Sequence, residues 1–113
     1  MSTQIDPNEA VDYLIKHSKS YAIAEANKVY MEELRKTVKA ECMKEAEMIG
    51  HKTAAMQERE AYASPKYKKH LEALSEAVQR REEARWMMIA AQERIAVWRS
   101  QEASNRVMDR AVA

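Results

Sequence analysis

Residues 57–70 bring together one arginine, three lysines, two tyrosines and a histidine. Cations that touch phosphates and aromatic rings that stack on bases are what binding of a single nucleic-acid strand needs. Arg59, Tyr62, Lys66, Tyr67, Lys68 and Lys69 are the candidates for that work. The plainer reading of the same residues stays open. In it Lys68 and Lys69 form a solvated face, Tyr67 belongs to an apolar stripe with Leu71, and Glu58 and Glu60 cancel the field. No other chemistry presents itself. The chain has no Gly-rich phosphate loop, no His-Glu-x-x-His and no nucleophile beside a plausible base, so no enzyme is expected and no cofactor is called for. His17, His51 and His70 fall in different predicted elements, which argues against a metal site. Cys42 continues a stripe of Tyr30, Leu34 and Val38, the position of a packed side chain and not of a reactive thiol.

The elements that must position these groups read as helices throughout. Residues 1–5 look frayed. Asp6 can cap a helix with Pro7 at its first position and Glu9 at its third. That short helix is predicted over 7–17, with a break near 17–20. A long helix is predicted over 20–62, roughly 60 Å at 1.5 Å per residue, carrying the Tyr30, Leu34, Val38, Cys42 stripe. Gly50-His51 is its weak point, read as a kink or a close helix approach, with a true break as the alternative. Ser64-Pro65 suits a helix start, and the third helix is predicted over 65–110, opening with the stripe Tyr67, Leu71, Leu74 and Val78. Two long helices joined by a tight turn make an antiparallel helical hairpin within a single all-α domain spanning 1–113.

Residues 84–98 set a further requirement. Their apolar side chains surround the axis, interrupted by Gln92, Glu93 and Arg94. A helix apolar nearly all round is normally buried, and one neighbour in a chain of 113 residues cannot cover it. A homo-oligomer interface built from Trp86, Met87, Met88, Ile89, Ala91, Ile95 and Trp98 is therefore expected. The segment is too short and too charged to span a membrane.

Composition agrees with long helices: one Gly, no Phe, and one third of the residues charged. A net charge of +1 leaves no global field to pull the chain onto nucleic acid or anionic lipid, so any such binding needs a local patch. A single cysteine excludes an intrachain disulfide and fits a reducing, cytoplasmic setting. The first residues have neither the basic start nor the apolar run of a signal peptide.

The run Ala54-Ala55-Met56-Gln57-Glu58-Arg59-Glu60-Ala61-Tyr62-Ala63-Ser64 resembles the Leu-Lys-Ala-Arg-Leu-Asp-Tyr-Tyr-Ser motif of the UvsY family of phage recombination mediators. Arg59, Tyr62 and Ser64 match. Gln57 stands where the motif has Lys, and Glu58 and Glu60 replace uncharged residues. Arg85-Trp86-Met87-Met88-Ile89 is similar to the aromatic-apolar helix of that family's C-terminal half, which is associated with oligomer formation. The order of parts agrees over about residues 30 to 105, and the whole chain also resembles small helical proteins encoded by temperate phages. The resemblance implies a ring-like homo-oligomer in the host cytoplasm. Such an oligomer binds single-stranded DNA, without catalysis, and loads a recombinase onto strands covered by a single-strand-binding protein. The rival expectation, from another class, is a helical protein-protein interaction module, such as a phage inhibitor of a host protein or a structural adaptor.

Overall fold

A computed structural model describes residues 4–112, so Met1, Ser2 and Thr3 of the expected frayed start lie outside the described residues. Three helices account for nearly all of the described chain: α1 Pro7–Met48, α2 Ala54–Ala63 and α3 Pro65–Val112. No strand occurs among the described residues, and no helix there is long and apolar enough to cross a membrane.

Helix α1 starts where its cap residues place it. Asp6 Oδ1 accepts from the backbone N–H of Asn8 at 2.9 Å and of Glu9 at 3.4 Å, satisfying two N–H groups that lack intrahelical partners. The break expected near 17–20 is absent. Ser18 does not cap a new helix; its hydroxyl donates to the Ile15 carbonyl at 3.0 Å, a bond a serine makes inside a continuing helix. The true end lies at Gly50, inside the predicted second helix. Gly50 has φ +112, the left-handed region that favours glycine. The His51 N–H donates to the Ala46 carbonyl at 3.1 Å and the Gly50 N–H to the Glu47 carbonyl at 3.2 Å. That pair of bonds is the Schellman termination. Thr53 then caps α2, its hydroxyl accepting from the Met56 N–H at 3.2 Å. Ser64, extended at φ −65 and ψ 135, separates α2 from α3, and Pro65 opens α3 as expected.

The chain divides into two compact units, Ile23–Glu82 and Met1–Ala22 with Glu83–Ala113. In the first, Val38, Cys42, Ala61 and Tyr67 form the core, with Leu34 and Met43 packed against it. The α3 residues turned away from solvent here include Tyr67, His70, Leu74, Ala77 and Arg81, alternately three and four apart. That 3.5-residue spacing is the seam of a coiled coil. The predicted stripe keeps Tyr67, Leu74 and Val78 on this side, while Leu71 is exposed and His70 and Ala77 are buried beside it. Tyr30 likewise leaves its predicted stripe, at 61% exposure, and Met31 turns inward instead. Contacts across this unit pair Cys42 with Ser64, Met31 with His70 and Glu25 with Arg81.

In the second unit Ala10 and Ala91 are buried. They share the lining of a hollow of about 110 Å³ with Tyr13, Met87 and Arg94. The screened α3 positions include Ala84, Met88, Ala91, Ile95 and Trp98, again alternately four and three apart. Tyr13 lies against the His17 ring at 4.2 Å between centroids.

Candidate nucleic-acid interface

Tyr62 is the residue around which cations and rings gather. It sits one residue before the end of α2, whose length is fixed by the Thr53 cap and the Ser64 turn. Its ring meets that of Tyr67 edge-on, with centroids 5.4 Å apart. Lys39 of α1 lies 4.7 Å over the Tyr62 ring and 3.1 Å from the Glu58 carboxylate. Arg35, Lys36 and Lys39 join the two tyrosines in lining a shallow hollow of about 360 Å³. Three cations within about one helical turn of α1, beside a ring that is 46% exposed, make a surface suited to a phosphate chain with a stacked base. Lys36 also pairs with Glu33 at 3.4 Å, but both side chains are well exposed, so solvent screens that attraction.

Titration follows the same contacts. Hydrogen bonding to Tyr62 and then to Glu58 raises the Lys39 pKa above its ordinary 10.5. The Lys39 ammonium, by hydrogen bond and by charge, lowers the Glu58 pKa below 4.5. Lys66 is raised chiefly by Glu41, with Glu45 second. Lysine and glutamate alike therefore carry full charge at neutral pH.

The six residues singled out from the sequence divide. Arg59, Lys68 and Lys69 are exposed. Tyr62 is exposed and central to the hollow. Lys66 instead lies 2.8 Å from Glu41 and 3.4 Å from Glu45, its charge directed back onto α1. Tyr67 is 8% exposed and belongs to the core, so it has an edge but no face to offer a base. Sequence reasoning misses Arg35, Lys36 and Lys39. Their signal is present as Arg-Lys-x-x-Lys, but nothing local says that a segment some two dozen residues upstream returns to Tyr62.

The remaining candidates have structural places. His70 is buried, its Nε2 2.9 Å from the Met31 carbonyl oxygen. His51 belongs to the termination of α1, and its carbonyl accepts from Gln57 Nε2 at 2.9 Å. Cys42 is buried and 3.5 Å from the Ser64 hydroxyl, as its stripe implied. No group of three or more His, Cys, Asp or Glu among the described residues is placed to hold a metal ion.

The residues expected at an oligomer interface also separate. Ala91 is buried, and Met88, Ile89, Ile95 and Trp98 are partly covered within the chain. Trp98 shares a hollow with Ile5, Asp6 and Pro7. Trp86 and Met87 stay open to solvent, at 59% and 53%. Arg85 lies 5.5 Å from the Trp86 ring centroid.

No protein-family model matches the chain, and no curated protein and no solved structure matches it.

Proposed function

We propose that this chain is an antiparallel helical hairpin that self-associates and binds single-stranded DNA without catalysis, as an accessory protein of phage recombination or replication. The observation that carries the DNA reading is the hollow at Tyr62, where an exposed ring stands beside Arg35, Lys36 and Lys39. Arg59, Lys68 and Lys69, exposed on the neighbouring helices, would supply further cations to a bound strand. The likeness of residues 54–64 to the UvsY motif supports the same reading, because Tyr62, a matching position, is the ring in the hollow. In this role the cations hold phosphates, Tyr62 stacks on a base, and the assembled protein presents the strand to a recombinase beside a single-strand-binding protein. The net charge of +1 makes the binding local and salt-sensitive.

A labelled single-stranded oligonucleotide, titrated at two salt concentrations, tests this. Binding that weakens steeply with salt is the expected result. Absence of binding at low salt refutes it and leaves the second reading, a helical protein-protein interaction module. That second reading is favoured by a different observation: an exposed apolar face on the C-terminal half of α3, bearing Trp86, Val97 and Val107.

A further inference from the structure

The C-terminal half of α3 carries apolar side chains on two opposite sides, and the structure covers one of them. Ala84, Met88, Ala91, Ile95 and Trp98 are turned from solvent. On the opposite side of the same helix a second seam runs from Trp86 to Ala111. Its positions are alternately four and three residues apart, and every one of them is exposed. A second 3.5-residue seam on one helix is what a coiled-coil contact with another helix requires.

We infer that the occupant of this seam is the same face of a second copy, packed antiparallel about a two-fold axis between Val97 and Ser100. The inference rests on the self-association part of the proposed function and is independent of the DNA reading. The argument is self-complementarity. When the seam is laid against itself in reverse, Trp86 meets Ala111 of the other copy, Ala90 meets Val107, Glu93 meets Ser104 and Val97 meets Ser100. Each bulky apolar residue thus faces a small one at each step. The positions flanking the seam pair Met87 with Met108 and Ala96 with Ala103, so no like charges confront each other there.

The middle of the seam supplies register. Glu93, Ser100, Gln101, Ser104 and Asn105 line one open hollow of about 480 Å³ along α3. In the reversed pairing the Glu93 carboxylate of each copy faces the Ser104 hydroxyl of the other, with Gln101 and Asn105 nearby as further donors. A shift by one heptad would set Glu93 against Val97 or Ala111, leaving its charge among apolar groups. A polar group within an apolar seam commonly fixes alignment in this way, and an isologous two-fold contact closes on itself. The seam is about 38 Å long and about 10 Å wide, roughly 760 Å² over both copies, the area of a weak and reversible contact.

Single cysteines test the register, in a Cys42→Ala background whose helicity is first confirmed by circular dichroism. Ala90→Cys and Val107→Cys chains are mixed and oxidised. The expected product is a disulfide joining the two different variants, because these positions meet. Neither variant alone should cross-link, because its two copies of the cysteine lie about 26 Å apart along the helices, beyond disulfide reach. Separately, Val97→Arg should turn the wild-type dimer monomeric in sedimentation while leaving helicity unchanged, and should lower melting only at concentrations where the wild type is dimeric, since the position is exposed within one chain. A monomeric wild type overturns both this contact and self-association. A dimer whose Ala90→Cys chains cross-link with one another, or whose mixed variants do not cross-link, overturns the register alone.

Discussion

Tyr62 and Tyr67 stand 5.4 Å apart and should separate stability from binding when each is changed to alanine. Tyr67 is 8% exposed and packs with Val38, Cys42 and Ala61. Removing its ring leaves a cavity that such small neighbours cannot refill. Large-to-small aromatic changes of this kind cost about 3–5 kcal/mol. For a unit of this size, even about 3 kcal/mol lowers Tm by roughly 12–24 °C. Tyr62 is 46% exposed, and its truncation loses the edge-on pair, about 0.5–1.5 kcal/mol, and little buried area. If its ring stacks on a base, the same truncation weakens oligonucleotide binding by about 1–3 kcal/mol, roughly five- to 150-fold in Kd, with the salt dependence unchanged. Thermal and urea unfolding followed by circular dichroism, alongside oligonucleotide titration, reads both quantities. If Tyr62→Ala destabilises as much as Tyr67→Ala, the division of the two rings into core and surface is wrong. A Tyr62→Ala protein that binds as the wild type does would remove the stacking role.

Other outcomes follow from the same geometry. Arg35→Gln with Lys36→Gln should weaken binding evenly across sequences, without changing the fold. It should also flatten the log-log salt slope by about 0.7 for each phosphate no longer neutralised. Lys66→Gln should do much less to binding, because its ammonium already faces Glu41 and Glu45; an equal weakening would show that those carboxylates do not hold it. Gly50→Ala should destabilise by about 1–2 kcal/mol in urea unfolding through backbone strain alone, since φ is +112 and nothing lies within 4 Å of an added Cβ. The Lys39–Glu58 pair sets two pH limits. Glu58, with its pKa lowered on folding, stabilises above the ordinary carboxylate value and loses that contribution as pH falls through the lowered value. Lys39, with its pKa raised, stabilises below 10.5 and loses that contribution as pH rises through the raised value. Between these limits the pair contributes no slope, so Lys39→Met should change the acid and alkaline ends of a stability-pH profile and leave the slope near neutrality as it was.

Much of the fold is legible in the sequence because its signals are local. Asp6-Pro7 and Ser64-Pro65 name helix starts through the chemistry of a capping oxygen and a missing N–H, and both helices start there. At Ser18 and at Gly50 the structure takes the less favoured of the two readings, for one physical reason. Serine has two uses in helical sequence, capping a start or bonding back to a carbonyl, and glycine has two as well, a tolerated interior residue or a left-handed terminus. Which use applies depends on whether neighbouring turns have partners, and that is not a local property. The same limit explains the site. Tyr62 and Lys39 are 23 positions apart in the chain and meet only because α2 is short and ends at Ser64. Once the chain turns there, the Arg-Lys-x-x-Lys of α1 comes alongside Tyr62, and the Lys66 singled out beside it is drawn to Glu41 instead.

The segment 84–98 shows how a sound inference from sequence can need division and not reversal. Apolar residues all round a helix do require burial on more than one side. Taken as a single girdle, they make Met88 and Ile95 the natural places to insert charge and dissociate an oligomer. In the structure those two residues share a seam with the buried Ala91, so a glutamate there would disrupt the chain's own packing before it reported on assembly. The discriminating positions are on the other side, at Trp86 and Val97, both exposed within one chain. Charge introduced at Met88 should lower melting temperature at every protein concentration. Charge at Val97 should leave the melting of the monomer alone and remove the concentration dependence of both sedimentation and melting. Two opposed faces of one helix thus give opposite signatures, and an identical response from both would show that the segment has one interface and not two.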